Sequence, residues 1–293
     1  MNGYVNLLKP PGMSSAAAVA CVKRLTREKC GHAGTLDPEV AGVLPIMVGR
    51  ATRLQQYFSD KSKAYIGEIC FTGATDTQDA QGKVTEPGRG VPDRDELEAA
   101  IRERFLGDIL QTPPMYSAVK RDGKPLYAMA RAGQTADIPA RPTHIASCEV
   151  LSQADEMTYR LRMECGSGTY IRTLFHDIGQ VLGLPAHMQM LIRTRSGRFA
   201  LEDSVTCERL AEAANAGEIA ACLMPMDWPL DSYARVCLSG RDRMLARNGV
   251  PIPSARLSVS DGETVTVYDE SGVFFGVGQG IGTEFRMAFI AEP

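Results

Sequence analysis

The sequence predicts a protein of mixed α and β structure that is divided into two domains. Its 293 residues are about twice the usual domain length. Its content of 44% apolar and 23% charged residues is typical of globular proteins. Residues 159–165 alternate between apolar and polar side chains, which is the period of a half-buried strand. Residues 171–182 place apolar side chains at helical spacing, directly after the glycine-rich turn 166–169.

The other elements follow from the same two periodicities and from the residues that cap or break helices. We predict strands at residues 3–8, 43–48, 64–71, 144–151, 187–193, 264–268 and 273–277. We predict helices at residues 15–27, 51–59, 95–106, 125–132 and 206–215. The helix at 95–106 begins behind Asp93, which is an N-capping residue type. Gly183 is suited to end the helix over 171–182.

A domain boundary is predicted near residue 230. Pro225 and Pro229 bracket the segment between them, and the charge balance changes in the same region. Residues 1–200 carry 25 Lys and Arg against 21 Asp and Glu, a net charge of +4, whereas residues 201–293 carry 7 against 14, a net charge of −7. We therefore expect one domain over 1–230 and a small β-rich domain over 231–293.

Composition and spacing disfavour several classes of protein. No run approaches the roughly 18 apolar residues of a membrane helix, and the N-terminus lacks the pattern of a signal peptide, so a soluble cytoplasmic protein is expected. The eight cysteines and four histidines lack metal-ligand spacing, so neither a metal site nor a disulfide framework is expected. The glycine run 276–282 has Ile281 where a dinucleotide-binding fingerprint requires glycine.

The segment 31–42 is the strongest candidate for a catalytic loop. Three glycines and Pro38 constrain its backbone around Asp37, and the apolar run 43–48 follows. A carboxylate held on a rigid turn is suited to nucleophilic catalysis, but an aspartate before proline also begins ordinary turns. This segment alone leaves both interpretations open. Glu39 is expected to be exposed rather than to act as a second catalytic carboxylate.

Seven segments, taken in order, indicate a family. They are 9–15, 31–52, 63–65, 75–82, 113–120, 168–172 and 193–197. Together they resemble the TruB family of tRNA pseudouridine synthases, over about residues 4–200, and the block 31–52 is the most specific part of the resemblance. Two features depart from the family pattern. Thr72 occupies a place where glycine is expected, and the last sixty or so residues are acidic and lack lysine, whereas the family's C-terminal domain resembles an RNA-binding PUA module.

The resemblance implies an α+β fold with a mixed, mostly antiparallel sheet, flanking helices and a central cleft, followed by the small C-terminal module. It implies that a uridine in the T-loop of tRNA, at position 55, is isomerised to pseudouridine. The N-glycosidic bond is broken, the uracil turns, and C5 of the base is joined to the sugar. It implies no cofactor and no metal, and the expected partner of this monomer is the T-arm stem-loop of tRNA.

The resemblance also assigns catalytic roles. Asp37 is the essential carboxylate and nucleophile, and Arg172 is the cation that keeps it ionised in a pocket where burial raises its pKa. Tyr65 stacks on the flipped base and helps to remove the C5 proton. The residues alone leave two other roles open. Arg172 is also consistent with an ordinary surface arginine on the flank of a helix, and Tyr65 with a residue packed in the core.

Further residues match positions that contact RNA. His32, Tyr170 and Leu191 match the substrate pocket, although His32 also suits a turn and Leu191 a strand core. Six cations are expected to contact the RNA backbone, because its phosphates must be neutralised, although each also suits a solvated surface. They are Lys9, Lys63, Lys120, Arg131, Arg141 and Arg193.

Two other functions stay open at the level of sequence. The first is a non-catalytic RNA-binding or tRNA-folding protein that uses the same cleft, and the presence of Asp37, Tyr65 and Arg172 argues against it. The second is a pseudouridine synthase that is guided by a separate RNA. The guided synthase differs from the enzyme that the resemblance implies in one testable way. Only the latter modifies a bare T-arm stem-loop without another RNA.

Overall fold

A computed structural model describes residues 1–117, 119–121 and 123–292 of the chain, and only the backbone of residues 120, 125 and 131. The helices are α1 (Ser15–Thr26), α2 (Arg94–Arg104), α3 (Leu126–Arg131), α4 (Ile171–Leu182), α5 (Cys207–Asn215), α6 (Gly240–Arg247) and α7 (Ser254–Leu257). The strands are β1 (Gly3–Lys9), β2 (Cys30–His32), β3 (Ala41–Val48), β4 (Lys63–Cys70), β5 (Gly73–Thr75), β6 (Val84–Pro87), β7 (Gly107–Gln111), β8 (Lys120–Arg121), β9 (Lys124–Pro125), β10 (Arg141–Asp155), β11 (Thr158–Cys165), β12 (His187–Ser196), β13 (Phe199–Ala200), β14 (Ala234–Leu238), β15 (Ile252–Pro253), β16 (Thr264–Asp269), β17 (Phe274–Ile281) and β18 (Glu284–Ile290).

Nine strands form the main sheet. Seven lie in the order β1-β3-β12-β4-β11-β10-β7, while β2 pairs with β3 and β13 pairs with β12. The β3 and β12 pairing is parallel, and its neighbours β1–β3, β4–β12 and β4–β11 are antiparallel. The sheet is therefore mixed and mostly antiparallel, which confirms the α+β fold class.

The core lies between this sheet and the helices that cover it. On β11 the alternation seen in the sequence is realised, because Tyr159, Leu161 and Met163 are buried while Arg160 is exposed. Helix α4 presents Leu174, Phe175 and Ile178 to the same cluster of buried side chains. Burial of large apolar side chains is the main favourable contribution to folding, so α4 and the central strands are fixed against each other.

Local sequence signals explain where the helices begin. The side chain of Ser14 accepts a hydrogen bond from the backbone N–H of Ala17 at the start of α1. Asp93 and Glu96 form a reciprocal capping box at the start of α2. Gly183 ends α4 in the left-handed conformation, with φ of 67°.

The prediction of a helix at residues 51–59 is wrong. The chain forms two short 3₁₀ turns, Gly49–Arg53 and Gln55–Tyr57, whose hydrogen bonds span three residues rather than four. The apolar residues of this segment do not share one helical stripe. Leu54 packs against the C-terminal strands, whereas Phe58 packs against Tyr4 and Phe199, so the backbone must turn between two separate clusters.

The C-terminal strands form a separate, small β-rich module, as predicted. Its five strands lie in the order β14-β16-β17-β18-β15, around a core that includes Val265, Val267 and Phe275. A second cluster joins the module to the preceding part of the chain through Leu54 and Leu230. The module is therefore packed against its neighbour. No helix in the described ranges has the length and apolar character needed to cross a lipid bilayer.

Gly42 is required where β3 meets β12. Its φ is +112°, and a Cβ atom added there would lie 2.2 Å from the carbonyl oxygen of Arg193. We expect Gly42→Ala to lower the free energy of unfolding by about 3 kcal/mol, because strain and a backbone clash add together. Urea denaturation measures this loss.

Gly183→Ala is the matched control. Its φ is +67°, but no described heavy atom lies within 4 Å of an added Cβ, so only the strain of about 1 kcal/mol remains. Equal losses in the two variants would show that the close approach of β12 to Gly42 is unimportant.

Candidate active site

A cavity of about 270 Å³ opens over the central strands β4 and β12. It is walled by the loop after β2, the first residues of β4, the N-terminal end of α4, one face of β12 and the segment near residue 117. Apolar side chains such as Val40 and Met188 form much of the wall. Six of the residues predicted to act in catalysis or binding line it, namely Asp37, Lys63, Tyr65, Tyr170, Arg172 and Leu191.

Asp37 and Arg172 form an ion pair in the wall of this cavity. Nε of Arg172 lies 3.2 Å from Oδ2 of Asp37. The side chain of Arg172 is 5% exposed, whereas that of Asp37 is 45% exposed and faces the opening. The carboxylate is therefore accessible to a substrate while its partner is shielded from solvent.

The remaining nitrogens of Arg172 are held by the backbone. Nη1 donates to the carbonyl oxygen of Thr77 at 3.1 Å, and Nη2 donates to the carbonyl oxygen of Tyr116. The guanidinium thus contacts Asp37 through one nitrogen and not through a bidentate fork. Its planar arrangement of donors allows one side chain to donate to two backbone carbonyl groups while its charge lies beside the carboxylate of Asp37, although Nε itself makes no hydrogen bond among the described residues.

The pKa of the Asp37 carboxyl is raised above its ordinary value. Burial is the largest cause, the positive charge of Arg172 opposes it, and the negative charge of Asp79 adds to it. Burial disfavours the charged form of any carboxyl group. Arg172 is therefore the main group that favours the ionised carboxylate.

Two buried cations fix the loop that carries Asp37. Nζ of Lys9 donates to the carbonyl oxygens of Pro10, Met13 and Pro38 at 2.7–2.9 Å. The guanidinium of Arg193 donates to the carbonyl oxygens of Val43, Gly34 and Thr35 at 2.8–3.5 Å. Charged donors make the stronger protein hydrogen bonds, so these contacts hold the loop rigidly.

The prediction that Lys9 and Arg193 contact the RNA backbone is wrong. Both side chains are 0% exposed, and their donors are engaged by backbone carbonyl groups, so neither reaches a phosphate. Sequence reasoning treated them as surface cations, since which backbone carbonyl a cation meets depends on tertiary structure. They support the loop around Asp37 from within the protein.

Tyr65 lies in the wall of the cavity, 6% exposed. On the sheet it is paired with Met163 of β11 and Arg193 of β12. Burial raises the pKa of the Tyr65 phenol to about 12, and the positive charge of Arg193 partly opposes that rise. The ring is therefore held rigidly by two strands, and its hydroxyl is protonated at neutral pH.

Gln111 positions the part of the cavity wall formed by Tyr170, and the sequence did not predict this role. This buried residue accepts a hydrogen bond from the backbone N–H of Tyr170 at 2.8 Å and donates to the carbonyl oxygen of Tyr170 at 3.0 Å. It fixes the residue that precedes α4. A glutamine at the end of a strand carries no pattern that would have identified it.

His32 lies in an adjoining hollow of about 670 Å³. Asp37, Ser117 and Arg172 line both the hollow and the cavity, whereas Tyr65 and Leu191 line only the cavity. Burial and the positive charge of Arg193 lower the pKa of His32, which favours the neutral imidazole.

The other predicted cations have different environments. Lys63 is partly buried at the cavity, where burial and Arg193 lower its pKa. Arg141 is exposed at the start of β10. The side chains of Lys120 and Arg131 lie outside the described residues. No group of three or more His, Cys, Asp or Glu side chains in the described ranges is arranged to hold a metal ion.

Two family models match the chain. The model for the N-terminal domain of TruB family pseudouridylate synthases matches residues 23–171, and that for the C-terminal domain of tRNA pseudouridylate synthase B matches residues 172–231. The chain belongs to the TruB family. As a TruB enzyme it is a tRNA pseudouridine synthase, an isomerase, which confirms the family and the enzyme class expected from the sequence.

Individual relatives agree with the TruB assignment. The tRNA pseudouridine synthase B of Heliobacterium modesticaldum is 50% identical over 217 residues, which are 72% of this chain and 70% of the relative. That of Halalkalibacterium halodurans is 40% identical over 283 residues, which are 94% of this chain and 92% of the relative.

Solved structures share the fold of this TruB chain. A Cbf5-Nop10-Gar1 complex matches with a TM-score of 0.75 and 27% identity, over 99% of this chain and 85% of that one. An H/ACA RNP bound to a substrate RNA containing 2'-deoxyuridine matches with a TM-score of 0.75 and 25% identity, over the same shares of the two chains.

The three contacts of Arg172 predict the effect of a conservative substitution. An ammonium group cannot reach Asp37 and both carbonyl oxygens together. We expect Arg172→Lys to lower the rate of pseudouridine formation at neutral pH by about 100-fold. The acid limb of the pH–rate profile should move to higher pH, because a weaker opposing charge leaves the pKa of Asp37 higher.

Arg160→Lys is the control, since Arg160 pairs with Glu68 at 2.7 Å on the exposed side of the sheet. It should retain the parental rate and pH profile. An Arg172→Lys enzyme with parental turnover and an unshifted acid limb would contradict the role assigned to the guanidinium.

Proposed function

We propose that the chain converts the uridine at position 55 in the T-loop of tRNA to pseudouridine, with Asp37 as the nucleophile. The ion pair between Asp37 and Arg172 in the wall of the cavity is the observation that carries this proposal. The pair supports the proposal because the carboxylate of Asp37 is 45% exposed and the charge of Arg172 favours its ionised form.

The size and depth of the cavity support a substrate base that leaves its stack. Extracting a base costs a few kcal/mol, and stacking on an aromatic side chain returns about 1–3 kcal/mol. Tyr65 supplies the aromatic ring, and Val40, Met188 and Leu191 supply apolar walls around it. We therefore assign the Tyr65 end of the cavity to the uracil and the Asp37 end to the ribose.

The reaction balances without any further reactant. The bond between N1 of uracil and C1′ of the ribose breaks, and the base keeps its electrons. The base then turns, C5 forms the new bond to C1′, C5 loses its proton and N1 gains one. Asp37 can stabilise the separated state by adding to the sugar or to the base. Both routes need the ionised carboxylate that Arg172 favours.

Tyr65 serves the second half of this reaction in our proposal. Its ring holds the turned base by stacking, and its oxygen assists removal of the C5 proton. The pKa of about 12 makes the free phenolate scarce at neutral pH. The positive charge of Arg193 beside it favours the phenolate, and so favours proton acceptance once C5 is bonded to the sugar.

RNA contacts outside the cavity are assigned to the remaining accessible cations. Lys63 at the cavity and Arg141 on the surface are placed to meet backbone phosphates, which position an RNA without reading its sequence. His32, in the adjoining hollow, faces the RNA next to the target. In this proposal the enzyme acts on tRNA as a monomer.

A synthase guided by a separate RNA is the second candidate. The match to the Cbf5 and H/ACA structures at a TM-score of 0.75 favours it. Sequence identity favours the first candidate, because relatives called tRNA pseudouridine synthase B are 40–50% identical, compared with 25–27% for those structures.

Release of tritium from C5-labelled uridine in a T-arm transcript tests the function. We expect the wild-type protein alone to release the label and Asp37→Asn to release none within the assay, because an amide neither attacks nor carries the charge. Glu39→Gln is the control in the same loop, since Glu39 is exposed, and it should retain activity.

The rate should fall as pH is lowered, because Asp37 must be ionised, and the midpoint should lie above the ordinary aspartate value of 3.8. Equal release by wild-type protein and Asp37→Asn would remove the proposed nucleophile. Release that occurs only after other RNA is added would favour the guided enzyme.

A further inference from the structure

Ser117 is a buried serine whose hydroxyl group has no partner among the described residues. The residue is 4% exposed, and its buried Oγ makes no hydrogen bond with any described residue. Buried polar groups in folded proteins are nearly always hydrogen-bonded, so each exception requires a specific explanation.

Ser15 is a buried serine whose hydroxyl group has a structural role. It is also 4% exposed, but its Oγ donates to the carbonyl oxygen of Leu36 at 2.8 Å and accepts from the N–H of Leu36 at 2.9 Å. Both capacities of that hydroxyl are used in holding the catalytic loop. The hydroxyl of Ser117 makes no such hydrogen bonds with the described residues.

Ser117 lies at the end of the cavity that holds the reacting carboxylate. It lines both the cavity and the adjoining hollow, as do Asp37 and Arg172, whereas Tyr65 lines only the cavity. The carbonyl groups of Tyr116 and Ser117 are both held by hydrogen bonds. Arg172 donates to the carbonyl oxygen of Tyr116, and the N–H of Tyr127 donates to the carbonyl oxygen of Ser117 at 3.1 Å.

The neighbouring hydroxyl of Thr169 and the two Nη atoms of Arg172 are already engaged in hydrogen bonds, whereas Nε of Arg172, like Oγ of Ser117, has none among the described residues. Oγ1 of Thr169, in the same wall, shares a hydrogen bond with Oγ1 of Thr143 and donates to the carbonyl oxygen of Gly166. The Nη atoms of Arg172 are used by two backbone carbonyl groups. The hydroxyl of Ser117 is therefore available to a ligand at the Asp37 end of the cavity.

We propose that Oγ of Ser117 hydrogen-bonds to the 2′-hydroxyl group of the target nucleotide and so favours ribonucleotide substrates. This inference rests on the proposed function, in which the base lies against Tyr65 and C1′ faces Asp37. The 2′-hydroxyl is carried by the carbon next to C1′, and therefore lies at the end of the cavity that Ser117 lines. A serine hydroxyl donates and accepts, which matches the 2′-hydroxyl, the group that distinguishes RNA from DNA.

Four reactions test the contact. Wild-type protein and Ser117→Ala each act on a T-arm stem-loop that carries either uridine or 2′-deoxyuridine at the target position, and kcat/KM is measured. Loss of the 2′-hydroxyl changes the chemistry equally in both proteins, so the ratio of the two preferences isolates the contact. We expect the preference of Ser117→Ala for the ribonucleotide to be roughly tenfold smaller than that of the wild type. Equal preferences overturn the proposal.

Two controls separate binding from folding. Ser117→Thr keeps a hydroxyl group and should keep most of the preference. Ser117→Ala should melt at or above the wild-type temperature, because it removes a hydroxyl without a protein partner, whereas Ser15→Ala should melt lower. A loss of melting temperature in Ser117→Ala that matches Ser15→Ala, together with an unchanged preference, would show a structural hydroxyl.

If the deoxynucleotide substrate turns over too slowly for kcat/KM to be measured, its binding is measured instead. In the Asp37→Asn background, the ratio of the two Kd values should change between Ser117 and Ser117→Ala by the same factor, and no change would overturn the proposal. A wild-type protein that forms no pseudouridine in the ribonucleotide stem-loop would contradict the proposed function itself. An active wild type with unaltered preferences contradicts only the role of Ser117.

Discussion

The buried guanidinium of Arg172 is the contact on which the whole site depends. It joins the loop that carries Asp37, the loop after β5 at Thr77, the segment before α3 at Tyr116, and helix α4 that carries it. A charge removed from water must be paired or hydrogen-bonded, or the fold is heavily penalised. Because two hydrogen bonds and one ion pair meet at this side chain, the positions of these loops are coupled to one another.

The buried cations Lys9 and Arg193 extend the same constraint. Each is satisfied by backbone carbonyl oxygens rather than by a carboxylate, so each leaves a net positive charge beneath the catalytic loop. Burial lowers the pKa of Lys9 to about 8, which is the cost of placing it there. In return, positive charge near Asp37 and Tyr65 favours the ionised forms of both groups.

The C-terminal module has a different electrostatic character. Residues 231–293 carry six arginines against eight Asp and Glu, a net charge of −2, which gives no general attraction to RNA. Within the module, Arg243 is paired with Asp269 and Glu292, so its charge is balanced internally. The module is nevertheless fixed to the catalytic part by a shared apolar cluster and by a hydrogen bond from Arg50 to the carbonyl oxygen of Ile290. Its position is therefore better defined by packing than by charge.

The sequence by itself determined the elements with strong periodicity, such as β11 and α4, and the rigid loop around Asp37, because side-chain period and turn residues are local properties. The resemblance carried by the seven segments indicated the family. Only the tertiary structure decided that Lys9 and Arg193 are buried and that residues 49–57 form 3₁₀ turns. It also decided that Gln111 holds the backbone of Tyr170 and that Ser117 lines the cavity. Backbone carbonyl groups are the same at every residue, and a cavity is assembled from distant segments. No pattern in the sequence therefore specifies which carbonyl a cation meets or which hydroxyl is left for a substrate.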